Sequence, residues 1–179
     1  MRLCKFVGFV VSMCLFSGFL FAKEIQKDIQ VVVKMVGITV EKTADKGEDD
    51  LFFNITQYSN LKGDRENRIP EYPKHWLSKQ VSSLKNVVLW DGKIEKGESL
   101  KLVLSLMEQD FPPWDPDDAI GAAEVNLLNQ NGRLKIQWGV PKFEKNNQEV
   151  EMLKGGVPQR YIFKGAGSRY DVAFSVEQK

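Results

Sequence analysis

Apolar and polar residues alternate with a period of two along much of the chain after residue 28. The first alternating run extends from Ile29 to Val40, with Gly37 inside it. This period is typical of a β-strand with one buried face, and an internal glycine often marks a β-bulge. Seven further strand-like runs follow. The pattern therefore predicts eight strands, at residues 29–40, 51–58, 86–90, 100–106, 119–128, 134–138, 160–164 and 170–176.

The segments between these runs carry turn signals. Asn131-Gly132 lies between two alternating runs, which is a strong indication of a β-hairpin. Residues 59–73 and 142–156 are polar and are predicted to be loops. Residues 74–84 have the apolar spacing of a short helix that starts just after Pro73. We therefore expect an all-β protein, an eight-stranded antiparallel β-sandwich with at most one short helix.

Two connections between predicted strands are rich in carboxylates. The first contains Asp45, Glu48, Asp49 and Asp50, and the second, Met107 to Gly121, contains five carboxylates and no Lys, Arg or His. Alternate loops of a sandwich emerge at the same end, so the two loops could converge on a hard cation such as Ca²⁺, which binds six to eight oxygens. The alternative is that both are solvated turns, because aspartate is common in turns.

These loops resemble the calcium-binding loops of a C2 domain, an eight-stranded sandwich that binds calcium and phospholipid. The resemblance covers residues 29–178 and rests on two motifs, Asp45-Lys-Gly-Glu-Asp-Asp50 before a strand and Glu108-Gln-Asp110 followed by Asp118-Ala-Ile-Gly121. Glu108 stands where the family usually has aspartate, and the connection to Asp118 is slightly longer. The resemblance implies a circularly shifted C2 topology and Ca²⁺ as ligand. The candidate metal ligands are Asp45, Asp50, Glu108, Asp110, Asp115 and Asp118.

The second acidic loop also has an apolar tip. Phe111 and Trp114 flank two prolines, which restrict the backbone. Tryptophan is well suited to a membrane interface, because it combines an apolar ring system with one hydrogen-bond donor. The tip is therefore predicted to contact membrane lipid or a protein partner. The alternative is that both rings fold back and cap the core.

The first 22 residues have the features of a secretory signal peptide. Arg2 and Lys5 precede an apolar run from Val7 to Phe21, and cleavage is expected after Ala22. The run is short for a membrane-spanning helix, although an uncleaved anchor is an open alternative. Residues 23–179 are then a single domain. The expected location is periplasmic or secreted, and the expected partner is a lipid or an envelope or extracellular protein.

Composition narrows the chemistry of the mature chain. Both cysteines, Cys4 and Cys14, lie in the predicted signal peptide, so thiol chemistry and disulfides are not expected. Loss of Arg2 and Lys5 leaves 23 of the 25 basic residues against 24 acidic ones, a net charge of about −1. That balance does not indicate nucleic-acid binding. His75 is the one histidine, and no nucleophile motif accompanies it.

The sequence therefore predicts an exported, non-enzymatic binding module. In the first hypothesis, its acidic loops bind calcium and its apolar tip contacts lipid or a protein. In the alternative, it is a metal-independent β-sandwich that takes part in protein–protein interactions at the cell envelope.

Overall fold

The computed structural model describes residues 27–44, 48–110, 117–142 and 148–179. They form two antiparallel sheets packed as a sandwich, with one short helix, so the predicted fold class is confirmed. The strands are β1 (Ile29–Lys42), β2 (Asp50–Ser59), β3 (Arg65–Ile69), β4 (Trp76–Leu77), β5 (Val87–Ile94), β6 (Ser99–Glu108), β7 (Asp118–Gln130), β8 (Arg133–Gly139), β9 (Glu149–Leu153), β10 (Gln159–Gly165) and β11 (Ser168–Gln178), and the helix is α1 (Ser78–Val81).

The strands divide into two sheets. Sheet A has the order β5-β1-β11-β10-β9, and sheet B has the order β3-β2-β6-β7-β8. The short strand β4 pairs with the start of β2, outside that path. Neighbouring strands are antiparallel throughout the described residues. The circularly shifted C2 topology stays a prediction.

Period-two alternation explains why these strands form a sandwich. In β6, alternate leucines from Leu100 to Leu106 are fully buried between the sheets, whereas Lys101 and Ser105 on the opposite face are partly exposed. The inner faces of β1 and β2 follow the same rule, with Val31 and Phe53 among the fully buried residues. Each strand thus contributes one apolar face to a common core.

The structure contains more strands than the eight predicted. All eight are present, and β3, β4 and β9 are additional. β3 and β9 lie at sheet edges and have no fully buried residue, so their sequences lack a clear apolar alternation. The helix is also shorter than the predicted segment 74–84, because residues 76 and 77 pair with β2 instead.

Two glycines allow sheets A and B to approach closely near the start of β7. A Cβ atom at Gly165 would lie 2.5 Å from the carbonyl oxygen of Ile120, and one at Gly121 would lie 2.7 Å from Phe163 Cβ. Real Cβ atoms essentially never make such contacts. The end of β10 is therefore packed directly on the strand that leaves the second acidic loop.

The sandwich has two distinct ends. The acidic end carries the β1–β2 and β6–β7 connections together with the β10–β11 turn, because β1, β6 and β10 all end there. The far end carries the β5–β6 and β7–β8 turns. Lys179 also lies at the far end, where its backbone N–H donates to the carbonyl of Gln30 at 3.0 Å.

A buried carboxylate connects the turns of the far end through hydrogen bonds. Glu98 is 1 % exposed and accepts hydrogen bonds from the Ser59 hydroxyl at 2.7 Å and the Lys62 ammonium at 2.8 Å. It also accepts one from the backbone N–H of Glu95 at 2.8 Å. Burial raises the pKa of Glu98, but these three hydrogen bonds and the charge of Lys62 outweigh burial and leave the pKa lowered.

Replacement of Glu98 by glutamine is expected to lower the free energy of unfolding by about 1–3 kcal/mol at neutral pH. Because the pKa of Glu98 is lowered on folding, its contribution is present above the pKa of an unfolded glutamate, about 4.3. The contribution is lost as the pH falls through the lower pKa of the folded state. Chemical denaturation of both proteins across this pH range would measure the difference.

Glu95→Gln is the matched control, because Glu95 contacts the same lysine at 3.5 Å but is exposed. This substitution should lower the free energy of unfolding by less than about 1 kcal/mol. Equal losses for the two variants, or a Glu98 effect that grows toward acidic pH, would contradict the assignment.

No helix in the described part of the chain is both long enough and apolar enough to cross a membrane. The predicted signal peptide, residues 1–22, lies outside the described residues.

Candidate functional site

The strand register brings the two acidic loops side by side. Leu51 at the start of β2 pairs with Glu108 at the end of β6, and Glu108 pairs in turn with Asp118 at the start of β7. The backbone N–H of Gln109 donates to the carbonyl of Asp50 at 2.7 Å. The described carboxylates of both loops therefore lie on or next to three adjacent strand ends.

Four of the eight predicted site residues belong to the described part of the chain. Glu108 is 7 % exposed, Asp50 and Asp110 are half-buried, and Asp118 is exposed. The other four lie outside the described residues, and they are Asp45, Phe111, Trp114 and Asp115.

The alternation of β2 separates neighbouring acidic residues. Leu51 and Phe53 face the core, so Asp49, two residues before Leu51, belongs to the same inner face. Asp49 is 0 % exposed. Asp50, one residue later, belongs to the outer face and is half-buried. Sequence reasoning selected Asp50 and missed Asp49, although extending the Leu51–Phe53–Ile55 alternation backwards would have identified it.

Asp49 connects the two sheets at the acidic end. Its Oδ2 atom accepts hydrogen bonds from the Ser168 hydroxyl at 2.8 Å and from the Tyr170 hydroxyl at 2.5 Å, both on β11 of sheet A. Its backbone N–H donates to Ser78 Oγ at 3.0 Å, and its carbonyl accepts from the Ser78 N–H at 2.9 Å. Asp49 Oδ1 is buried and has no hydrogen-bond partner within the described residues.

A second carboxylate lies in the same interior space. Glu108 lies two residues after Leu106 on β6, so it belongs to the same inner face, and it is nearly buried. The pKa of Tyr170 is raised above its usual range, first by burial, then by the hydrogen bond and charge of Asp49 and by the charge of Glu108. The Tyr170 hydroxyl therefore lies in the electrostatic field of both carboxylates, and it stays protonated to donate to Asp49.

Three basic side chains from residues 65–79 contact the acidic end. The Nε2 atom of His75 lies 3.4 Å from Asp50 Oδ1, and Lys79 Nζ lies 2.7 Å from Glu48 Oε1. Arg68 donates from Nη2 to Gln109 Oε1, at the base of the second acidic loop. These groups are remote in sequence, and the Lys79 ammonium and the Arg68 guanidinium bring positive charge to the acidic end.

The Arg68 guanidinium is held in place by aromatic contacts. Its Cζ atom lies 3.6 Å from the centre of the Phe52 ring and 5.5 Å from that of Tyr72, which suits a cation–π interaction. Nη2 also donates to the carbonyl of Lys74 at 3.2 Å. Arg68 thereby ties the end of β3 and the loop after it to the base of the second acidic loop.

The donor chemistry of the acidic end suits a hard cation, because carboxylate and hydroxyl oxygens predominate. Within residues 27–44, 48–110, 117–142 and 148–179, no three His, Cys, Asp or Glu side chains cluster closely enough to hold a metal by themselves. A cation bound there would therefore need further oxygens, from backbone carbonyls, hydroxyls, water or loop residues.

A scan against protein-family models finds no family that matches this chain, and a search of curated proteins likewise finds no match. The resemblance to C2 domains stays a prediction.

Proposed function

We propose that the protein is an exported, non-enzymatic binding module that acts through the acidic end of its sandwich. The observation that carries the proposal is the placement of two acidic loops on three neighbouring strand ends, where Leu51 pairs with Glu108 and Glu108 pairs with Asp118. Export follows from the signal-peptide features of residues 1–22.

Calcium is the proposed ligand of this end. Like charges about 5 Å apart repel by roughly 3 kcal/mol at an effective dielectric constant of about 20, so a divalent cation would relieve the repulsion. The buried Oδ1 atom of Asp49, with no partner in the described residues, supports a cation in this region. Glu108, Asp110 and Asp118 would hold the ion through carboxylate oxygens, together with Asp45 and Asp115.

The calcium proposal predicts that the melting temperature of the mature protein is higher in calcium than in chelator. A ligand that binds only the folded state stabilises it by about 2.7 kcal/mol at a concentration 100 times its dissociation constant. Differential scanning calorimetry in millimolar calcium and in excess chelator measures the shift. The double variant Asp110→Asn/Asp118→Asn should show a much smaller shift. Superimposable wild-type curves would eliminate the calcium proposal.

The alternative is a metal-independent module that binds a protein at the cell envelope. It is favoured by positive charge within the chain, because the Lys79 ammonium pairs with Glu48 and the Arg68 guanidinium lies at the base of the second acidic loop. This hypothesis predicts identical melting with calcium and with chelator. It also predicts that binding to an envelope protein persists in chelator and in the double variant.

Contact of the apolar tip with lipid or protein belongs to the first hypothesis and stays a prediction. It depends on Phe111 and Trp114, which lie outside the described residues.

A further inference from the structure

Neighbouring carboxylates at the start of β2 have different surroundings. Glu48 is paired with the Lys79 ammonium at 2.7 Å and is partly exposed. Asp49 is completely buried, and within the described residues the hydrogen bonds of its carboxylate come from the Ser168 and Tyr170 hydroxyls. Within the described part of the chain Asp49 Oδ1 accepts no hydrogen bond, and a buried carboxylate oxygen in that situation is unfavourable.

The hydroxyl partners of Asp49 hold its carboxylate in one orientation. Ser168 and Tyr170 both donate to Oδ2, from a strand of the opposite sheet. Backbone hydrogen bonds to Ser78 fix the main chain of Asp49 on the other side. Oδ1 is therefore the acceptor that remains for a ligand in the interior of the acidic end.

Glu108 adds a second carboxylate to this interior. Its strand neighbour is Leu51, two residues after Asp49 on the same inner face, and it is nearly buried. Two carboxylates enclosed between the sheets, with hydroxyl groups beside them, form an oxygen-rich site of the kind that hard cations prefer.

We infer that Asp49 Oδ1 and the Glu108 carboxylate are inner ligands of a divalent cation bound between the sheets, with Ser168 and Tyr170 as positioning residues. This inference rests on the proposed calcium binding and deepens it. It adds two inner ligands to the loop-borne site, Glu108 on β6 and Asp49 directly before β2, and the sequence motifs did not select Asp49. Loop carboxylates and water would supply the remaining ligands, as is common for Ca²⁺.

The test compares Asp49→Asn with Glu48→Gln in the full mature chain. Each substitution removes one negative charge from adjacent positions, but only Asp49 belongs to the inner site. Melting curves are recorded in calcium, in magnesium and in chelator at equal ionic strength, and calcium binding is measured by isothermal titration calorimetry. We expect Asp49→Asn to lose most of the calcium-induced shift and Glu48→Gln to retain it.

The outcomes separate the two proposals. A wild-type protein that does not respond to calcium overturns calcium binding and the inner site together. A normal response in Asp49→Asn, or equal losses in Asp49→Asn and Glu48→Gln, overturns the inner site and leaves calcium binding at the acidic end intact. If Asp49→Asn does not fold, Ser168→Ala replaces it, because Ser168 positions the Asp49 carboxylate and is not a ligand of the loop-borne site. A calcium-induced shift equal to that of Glu48→Gln would then overturn the inner site.

Discussion

Replacement of Phe174 by alanine is expected to lower the free energy of unfolding by about 3–5 kcal/mol, a typical range for a buried aromatic side chain. Phe174 is 0 % exposed and connects both sheets. Its ring centre lies 5.9 Å from those of Phe53 and Tyr161, 6.0 Å from that of Trp138 and 6.3 Å from that of Phe163. Such aromatic pairs contribute beyond their buried area, and the variant loses all four at once.

Urea denaturation would measure this loss, with Tyr72→Ala as the control. Tyr72 is also aromatic but is 71 % exposed, and its ring lies near the Arg68 guanidinium. Its removal should change stability by less than about 1 kcal/mol. A Phe174→Ala effect no larger than that of Tyr72→Ala would show that the aromatic cluster is not central to the core.

Replacement of Asn129 by aspartate is expected to lower the free energy of unfolding by at least about 3 kcal/mol. Asn129 is buried, and its amide nitrogen donates to the carbonyls of Lys27 at 3.1 Å and Ile94 at 3.0 Å. Its Oδ1 accepts from the N–H of Gly132 at 2.9 Å. Aspartate preserves the acceptor but places a charged oxygen against two carbonyl oxygens.

Asn60→Asp is the matched control, because exposed Asn60 uses its Oδ1 as an acceptor from the Ser99 N–H at 2.9 Å. Aspartate retains that bond, so the change should stay within about 0.5 kcal/mol. Thermal denaturation of both variants at several pH values provides a second test. The Asn129→Asp deficit should narrow as the pH falls, since a protonated carboxyl can again donate one hydrogen bond. A deficit independent of pH would contradict this explanation.

The main strands could be predicted from sequence because each has one apolar face. Leu100 to Leu106 in β6 alternate strictly, and burial of that face determines both the strand and its orientation. β3 and β9 could not be recognised in the same way. They are held by backbone pairing at sheet edges, and most of their side chains are partly or fully exposed. Backbone hydrogen bonds leave no apolar pattern in the sequence.

The acidic end was predictable as a group of loops but not in its detailed contacts. Asp49 and Asp50 are adjacent and chemically identical. Only the alternation of side chains between the two faces of β2 places Asp49 inside and Asp50 outside. The partners of Asp49 lie more than one hundred residues away, at Ser168 and Tyr170. Contacts of that separation depend on the packing of one sheet on the other, which a single sequence does not encode locally.

The basic side chains at the acidic end also reach their partners through contacts that are distant in sequence. Residues 59–73 were predicted to be a loop and residues 74–84 a short helix, and the structure places Arg68, His75 and Lys79 beside acidic loops from two other parts of the chain. The pairing of β3 and β4 with β2 brings them there. Charge compensation at this end is therefore a property of sheet topology.

The direction of β1 and β11 determines where the protein can be attached to a surface without covering its acidic end. β1 leaves the far end near residue 27, and β11 returns there to Lys179. At about 3.3 Å per residue, the eleven residues of β11 span roughly 35 Å. An affinity tag or surface linker joined at Lys179 would thus orient immobilised molecules uniformly, with the acidic end toward the solution. Attachment at the β10–β11 turn would instead press that end against the support.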